Sequence, residues 1–370
     1  MAKTSGMSEA QIQDLYVQLR DRMNTLSFGY CPTESGTEFI LLKRFFSAED
    51  AYNWLKMPVD VFFSADTYAE LAEISVKEAS EILEDQAHRG LLYRVRRGGR
   101  AEFRVMPVAH GVYEFNLDKV EPGWAMGLGQ HMGEGLFPQI YATNYPFYRS
   151  VPVNTEVVEG GEVLPYDDIL ERLDQYNTFA LSPCVCRELN ETLGAPTDFP
   201  METCISCGEM AEFYLENNIG REISKEEVKD LLAKSVDLGM VIQTCCSKAS
   251  EIICSCHSTA CGILQAAKVC PGEAMKNITH YVITTKEDLC IGCEQCAGRC
   301  PMGAITMVDG KPVTDASCVG CGQCAYICPT KARVLVKKDP SEYDKLPETI
   351  FDTYTAMQEY RRTSGDLAGK

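Results

Sequence analysis

The pattern of apolar and polar positions predicts helices over 9–23 and 38–56. A third runs from Thr67 through Ile74, and Ser75 is a natural break. Val76 to His88 follows as a helix with Ala79, Ile82, Leu83 and Ala87 on one face, and Gly90 stops it. Leu91–Arg96 and Ala101–Met106 then alternate around Arg97-Gly98-Gly99-Arg100, the mark of a two-stranded hairpin.

Beyond this first unit (1–110) the pattern loosens. Residues 111–165 are rich in Gly, Pro and aromatics, among them Trp124, Phe137, Tyr141, Tyr145, Phe147 and Tyr148, and read as a long connector. Residues 166–283 form a cysteine-rich unit with helices expected near 166–176, up to Glu216, from a capping box at Ser224-Lys225-Glu226-Glu227 to Gly239, and near 262–269. Residues 284–338 contain an internal repeat, and 339–370 hold an amphipathic helix at 347–361 and a polar tail.

Composition sharpens this picture. There are 370 residues, 45% hydrophobic and 24% charged, with a net charge of −18. That is an ordinary globular balance, and the acidity argues against a protein built around nucleic-acid affinity. No apolar run approaches the roughly 18 residues of a membrane span, and Met1–Ala10 does not resemble an export signal, so a cytoplasmic location is expected. The 19 cysteines then point to metal ligands or redox groups rather than disulfides.

The repeat is Cys290-x2-Cys293-x2-Cys296-x3-Cys300-Pro301 followed by Cys318-x2-Cys321-x2-Cys324-x3-Cys328-Pro329. Three cysteines spaced by two present three thiolates to one cubane, and the fourth, before proline, turns away to the other cluster. The spacing predicts two [4Fe–4S] clusters: one on Cys290, Cys293, Cys296 and Cys328, the other on Cys318, Cys321, Cys324 and Cys300. Paired zinc knuckles are the alternative, but zinc favours separated C-x2-C pairs. This segment resembles the bacterial dicluster ferredoxins at all eight positions. The resemblance implies two tandem βαβ-like halves and one-electron transfer between adjacent clusters.

In the middle unit, Cys184-x-Cys186-Arg187, Thr203-Cys204, Cys254-x-Cys256-His257 and Cys261-Gly262 resemble a cysteine-rich module that precedes a dicluster ferredoxin in iron–sulfur proteins of anaerobes. His257 and Ala260 stand where such proteins commonly carry further cysteines. Three readings stay open here: a third iron–sulfur cluster on four of Cys184, Cys186, Cys204, Cys254, Cys256 and Cys261; a structural zinc; or thiols without metal. Arg187 either offsets thiolate charge or forms a surface ion pair, and His257 is a ligand or a hydrogen-bonded side chain.

The helices and hairpin at 66–105 read as a winged helix. Its wing, 89–104, carries Arg89, Arg94, Arg96, Arg97, Arg100 and Arg104 against Glu102. The helix meant for the major groove carries Glu78, Glu81, Glu84 and Asp85 and lacks base-reading side chains, which favours protein docking over DNA. Gly127–Gly135 reads as a mobile loop and is weak as a phosphate or flavin loop. Trp124, His131 and the aromatics at 141–148 either line a small-molecule pocket or pack the connector.

The expectation is an α+β protein: an N-terminal winged helix, a cysteine-rich middle domain and a C-terminal dicluster domain. It would transfer electrons as a subunit or partner of a larger oxidoreductase, with no side chain acting as acid or base. A redox-sensing transcriptional regulator is the alternative, and direct reduction of a small molecule at the middle centre is a third possibility.

Overall fold

The computed structural model describes residues 4–364. Helix α1 (Glu9–Asn24) begins at Ser8, whose hydroxyl accepts from the Gln11 N–H while the Gln11 side chain answers the Ser8 N–H. The helix expected over 38–56 is two: α2 (Thr37–Phe45) and α3 (Ala48–Trp54). Phe46 is extended, and Ser47 makes a capping box with Asp50. A serine satisfies an open helix end better than it sits inside a helix, so the chain breaks there.

Helix α4 (Ala65–Ala72) ends at Glu73 in the left-handed region, and Ser75 caps α5 (Val76–His88). Strands β1 (Tyr93–Arg97) and β2 (Arg100–Arg104) pair antiparallel. Gly98 (φ 57°) and Gly99 (φ 76°) both take positive φ, which matches the twist of the flanking strands.

The connector carries more structure than its composition suggests. It holds α6 (Pro122–His131), a further turn through Leu136, α7 (Phe137–Ile140) and β3 (Tyr148–Ser150). The glycine-rich stretch is therefore helical rather than a mobile loop. Glu121 accepts from the Gly123 and Trp124 N–H groups, and Pro122 presets the first turn. Tertiary packing supplies the rest: a β-carbon at Gly127 would touch the Leu41 side chain at 3.4 Å, so the bare backbone lies directly on α2. Trp124 and His131 are buried in the core.

In the middle unit the helix expected at 166–176 shrinks to α8 (Ile169–Arg172) and one tighter turn. There follow β4 (Phe179–Pro183), α9 (Val185–Thr192), β5 (Glu202–Cys207), α10 (Glu209–Glu216), β6 (Arg221–Glu222), α11 (Lys225–Asp237), β7 (Val241–Cys245), β8 (Ile252–Cys256) and α12 (Gly262–Val269). The strands form one antiparallel sheet in the order β3-β7-β8-β5-β4-β6. Side chains alternate across a strand. Leu181, Ile205, Cys207, Ile242 and Ile253 therefore share the face that packs on Val228, Leu232 and Val236 of α11. Register pairs Cys204 with Cys254, and Gln243 with Cys254, so these and Cys256 share the opposite face.

The C-terminal unit packs around a strand that begins at Tyr281. Strand β9 (Tyr281–Thr285) pairs with β12 (Arg333–Lys337), while β10 (Ile305–Val308) and β11 (Lys311–Thr314) form a hairpin over Asp309-Gly310. Short helices α13 (Gln295–Arg299) and α14 (Gln323–Tyr326) lie between them. Helix α15 (Ile350–Thr363) then returns to the start of the chain. Phe351 meets Phe62 edge-on at 5.2 Å, the Tyr354 hydroxyl donates to His110 O at 3.2 Å, and Arg361 donates to Asn24 Oδ1 at 3.1 Å. One continuous apolar core runs from Tyr16 to Met357. The polar tail past 364 lies outside the described residues. No helix of the described residues is long and apolar enough to cross a membrane.

Candidate metal centres

Each C-x2-C-x2-C run is a loop closed by one helical turn, so its first three cysteines face inward. Cys290, Cys293, Cys296 and Cys328 line one cavity; Cys300, Cys318, Cys321 and Cys324 line another. The fourth cysteine of each motif thus sits with the three of the other. Two glycines make this possible by backbone approach. Gly292 (φ 67°) would place a β-carbon 2.8 Å from Gly310 O, and Gly320 (φ 62°) one 2.6 Å from the Thr279 side chain.

Donors surround the sulfurs. The Ala304 N–H reaches Cys300 Sγ at 3.3 Å, and Arg333 Nη2 reaches Cys324 Sγ at 3.9 Å. Burial pushes the Cys324 thiol up to about 11, against the pull of Arg333, and raises Cys318 and Cys321 too. Cys328 is lowered, because N–H groups of Arg333, Thr330 and Ala332 and the Thr330 hydroxyl outweigh its burial. Bare thiols buried this way favour the protonated form, so bound metal has to hold them as thiolates. The two quartets differ in exposure: Cys293 is exposed, whereas Cys321 is buried.

Residues 289–332 match the family model of the 4Fe-4S dicluster domain. The segment is a dicluster ferredoxin domain. An uncharacterized ferredoxin of Methanocaldococcus jannaschii is 34% identical over 108 residues, which cover 29% of this chain and 51% of that protein. The chain thus spans about half the length of this curated relative. No solved structure matches it. The chemistry of such a domain is one-electron transfer through iron–sulfur clusters.

Beside the ferredoxin domain, the fold gathers all six middle cysteines of the candidate set. Strand register brings Cys204, Cys254 and Cys256 to one face of the sheet. Cys184 caps α9, with Cys186 in its first turn, and Cys261 caps α12. The thiols contact one another in the order 184–186–261–256–254–204. The neighbouring thiols hold Cys254 and Cys261 well below the ordinary thiol range, and Cys261 Sγ lies 3.9 Å from Gln243 Oε1. The neighbouring thiols and burial together push Cys184, Cys204 and Cys256 up. The positive ends of two helices also point here, through the Arg187 N–H to Cys184 and the Leu264 N–H to Cys261.

Arg187 is buried, not at a surface ion pair. Its guanidinium donates to Pro200 O at 2.7 Å, Ser255 O at 2.6 Å and the Thr203 hydroxyl. Its charge opposes the rise of Cys184 and adds to the lowering of Cys254. His257 is turned aside: Nδ1 lies 3.0 Å from Thr259 Oγ1, and the ring stacks on Phe199 at 4.5 Å. Cys207 faces α11 on the far side of the sheet.

Tyr148, one of the connector aromatics expected at a pocket, meets this site, and so do His110 and Glu114, which no local motif announces. Tyr148 donates to Cys254, and its oxygen lies 2.9 Å from His110 Nδ1. His110 Nε2 lies 2.9 Å from the Tyr214 hydroxyl, and burial pushes the ring down to about 3, so it is neutral. Glu114 accepts from the Gly111 N–H at 2.8 Å, yet burial pushes its carboxyl up to about 8. A cavity of about 290 Å³ adjoins the thiols and is lined by Glu114, Phe147 and Tyr148 among others; Trp124, His131, Tyr141 and Tyr145 are not on its wall.

Among the described residues, no three His, Cys, Asp or Glu side chains are arranged to hold a single metal ion. The same is true of the two ferredoxin quartets. A four-iron cluster spreads its ligands further apart than one ion does.

The arginines of the β1–β2 hairpin are not free. Arg94 pairs with Glu84 at 2.8 Å and Glu216 at 2.5 Å, Arg96 with the same two carboxylates, and Arg97 with Glu102 and Glu209. Glu209 and Glu216 belong to α10 of the middle unit.

Proposed function

We propose that this protein is a three-station electron relay: each ferredoxin quartet holds a [4Fe–4S] cluster, and the ring of six thiols holds a third iron–sulfur centre. The observation that carries the order of the stations is the contact between the middle knot and the second quartet. The Ser258 hydroxyl, between Cys256 and Cys261, donates to Pro301 O, next to Cys300. Cys256, Cys261, Met302, Val319 and Cys321 share one core. The quartet of Cys290 lies at the open end, with Cys293, Leu289 and Ile291 exposed. Electrons then enter from a redox partner at that end, cross to the Cys318 quartet, and reach the middle centre. That partner is a soluble protein or the remainder of a larger oxidoreductase. So many unpaired thiols suit a reducing, oxygen-poor cytoplasm.

A cluster fits the middle site better than zinc. Among the described residues no three of these thiols are arranged to hold a single ion, which a four-iron cluster does not require, and a buried cation beside them offsets the charge of a thiolate-ligated cluster. The unit at 66–105, read as a winged helix, then serves structure. Its arginines clamp it to α10, which leaves fewer of them for phosphates or for steering a partner and disfavours the DNA-binding regulator.

The test is iron, acid-labile sulfide and zinc content of anaerobically purified protein. About twelve irons per chain support three clusters. About eight irons with one zinc would make the middle unit structural and end the three-station reading.

A further inference from the structure

We propose that the cavity in front of the thiol ring is a binding site for a small, uncharged, mainly apolar molecule that carries one hydrogen-bonding group. The inference deepens the reading of the thiol ring as a redox centre. It rests on that reading for what the bound molecule meets, though not for the binding itself.

The size comes first. At about 290 Å³ the cavity is at the small end of ligand sites, and a metal centre takes the thiol end of it. What remains suits a single ring, not a nucleotide. The wall sets the polarity. Leu128, Met132, Leu136, Phe137 and Leu189 line it, and the polar surface among its atoms is minor. Among the lining residues there is no lysine or arginine, and His110 has both ring nitrogens engaged by tyrosine hydroxyls. An anion or a phosphate-bearing cofactor would be desolvated there with no counter-charge. Glu114 offers a hydrogen-bonding group on the wall. Glu114 is half-buried and belongs to the cavity lining.

The glycine-rich stretch of the connector explains the opening. Gly129 and Gly133 are exposed and stand on the rim, opposite half-exposed Leu193. A β-carbon at Gly129 would touch Leu193 Cδ1 at 3.7 Å, an ordinary contact, and one at Gly133 would meet nothing within 4 Å. Gly129 lies inside α6, where glycine costs about 1 kcal/mol relative to alanine. Helical stability does not call for glycine at this position; an open mouth does.

The experiment titrates the full-length, metal-loaded protein, kept anaerobic, with acetophenone, a neutral ring with one acceptor. Benzoate is its anionic counterpart of similar size. Binding is read by calorimetry and ligand-observed NMR, with iron content measured in parallel. Acetophenone should bind saturably and benzoate at least ten-fold more weakly. G129L, which fills the mouth beside Leu193, should weaken acetophenone at least ten-fold at unchanged iron content, and G129A, whose β-carbon already meets Leu193 Cδ1, should weaken it by less. Absence of saturable acetophenone binding, equal binding of benzoate, or wild-type affinity in G129L would each overturn the proposal. About twelve irons without binding would sink this inference alone. About eight irons with G129L-sensitive binding would sink the third cluster and keep the ligand site.

Discussion

Replacing Arg94 by methionine should loosen the N-terminal unit from the middle sheet, and its size follows from the geometry. The side chain is 5% exposed and donates to Glu84 Oε2 at 2.8 Å, Glu216 Oε2 at 2.5 Å and Asn217 Oδ1 at 3.1 Å. Breaking a fully buried ion pair costs about 3–5 kcal/mol. Here the two carboxylates are 35% and 37% exposed, and Arg96 reaches both, so water and a second cation recover part of that loss. About 2–3 kcal/mol should remain, a 30- to 160-fold change in the opening equilibrium. Arg96 is 45% exposed, and R96M should cost at most about 1 kcal/mol. Hydrogen exchange of the hairpin amides, compared at 0.1 M and 1 M salt, reads both. The Debye length falls from about 10 Å to about 3 Å over that range, so the Arg96 contribution should fade while that of Arg94 persists. Equal costs for the two variants would refute the burial argument. No effect from either would refute the clamp itself.

Four further outcomes are expected. Cys328→Ser should disturb the cluster held by Cys290, Cys293 and Cys296, and Cys300→Ser the one held by Cys318, Cys321 and Cys324; electron paramagnetic resonance of each variant reporting loss of the cluster in its own motif instead would refute the crossed ligation. The folded-state pKa of His110 is depressed to about 3, so its contribution is present above about 6.5 and is lost as pH falls toward 3, by up to about 1.4 kcal/mol per unit. Glu114 is raised to about 8, so it acts oppositely, its contribution being present below about 4.5 and lost as pH rises through 8; the slopes cancel between 4.5 and 6.5, and denaturant midpoints for Glu114→Gln should fall more steeply with acid there than wild type. Duplex DNA should not be retarded by the protein at moderate salt, and a shift abolished by Arg96→Gln, Arg97→Gln and Arg100→Gln together would restore the regulator.

The ferredoxin quartets were legible because their chemistry is local. Eight cysteines and two prolines at fixed spacing specify both loops, and a family model finds the same segment. The six-stranded sheet was not. Strand β8 reads Ile252-Ile253-Cys254-Ser255-Cys256 and is covered on both faces, so it shows no apolar–polar alternation. Its C-x-C pair therefore carries no strand signature, although it lies within a strand. The convergence of Cys184, Cys204 and Cys261 depends on the register of β5 against β8 and on where α9 and α12 begin, which no local pattern encodes. Ser47 shows the reverse failure. Its capping box was readable at Ser47 and Asp50, but apolar residues at helical spacing on both sides of it hid the break.

The return of α15 to the first helix has a consequence for synthesis. Asn24 and Arg361 are 337 residues apart, and Phe351 completes the aromatic cluster around Phe62 and Tyr93. At about 5–20 residues per second the ribosome takes roughly 20–70 s to deliver α15 after α1 has emerged. Throughout that interval the N-terminal unit lacks its closing helix, while the cysteine loops emerge before α15. A nascent chain left in this state by a stalled ribosome would expose Phe62 and Tyr93 to chaperones, and cluster loading has a window in which the molecule is still open.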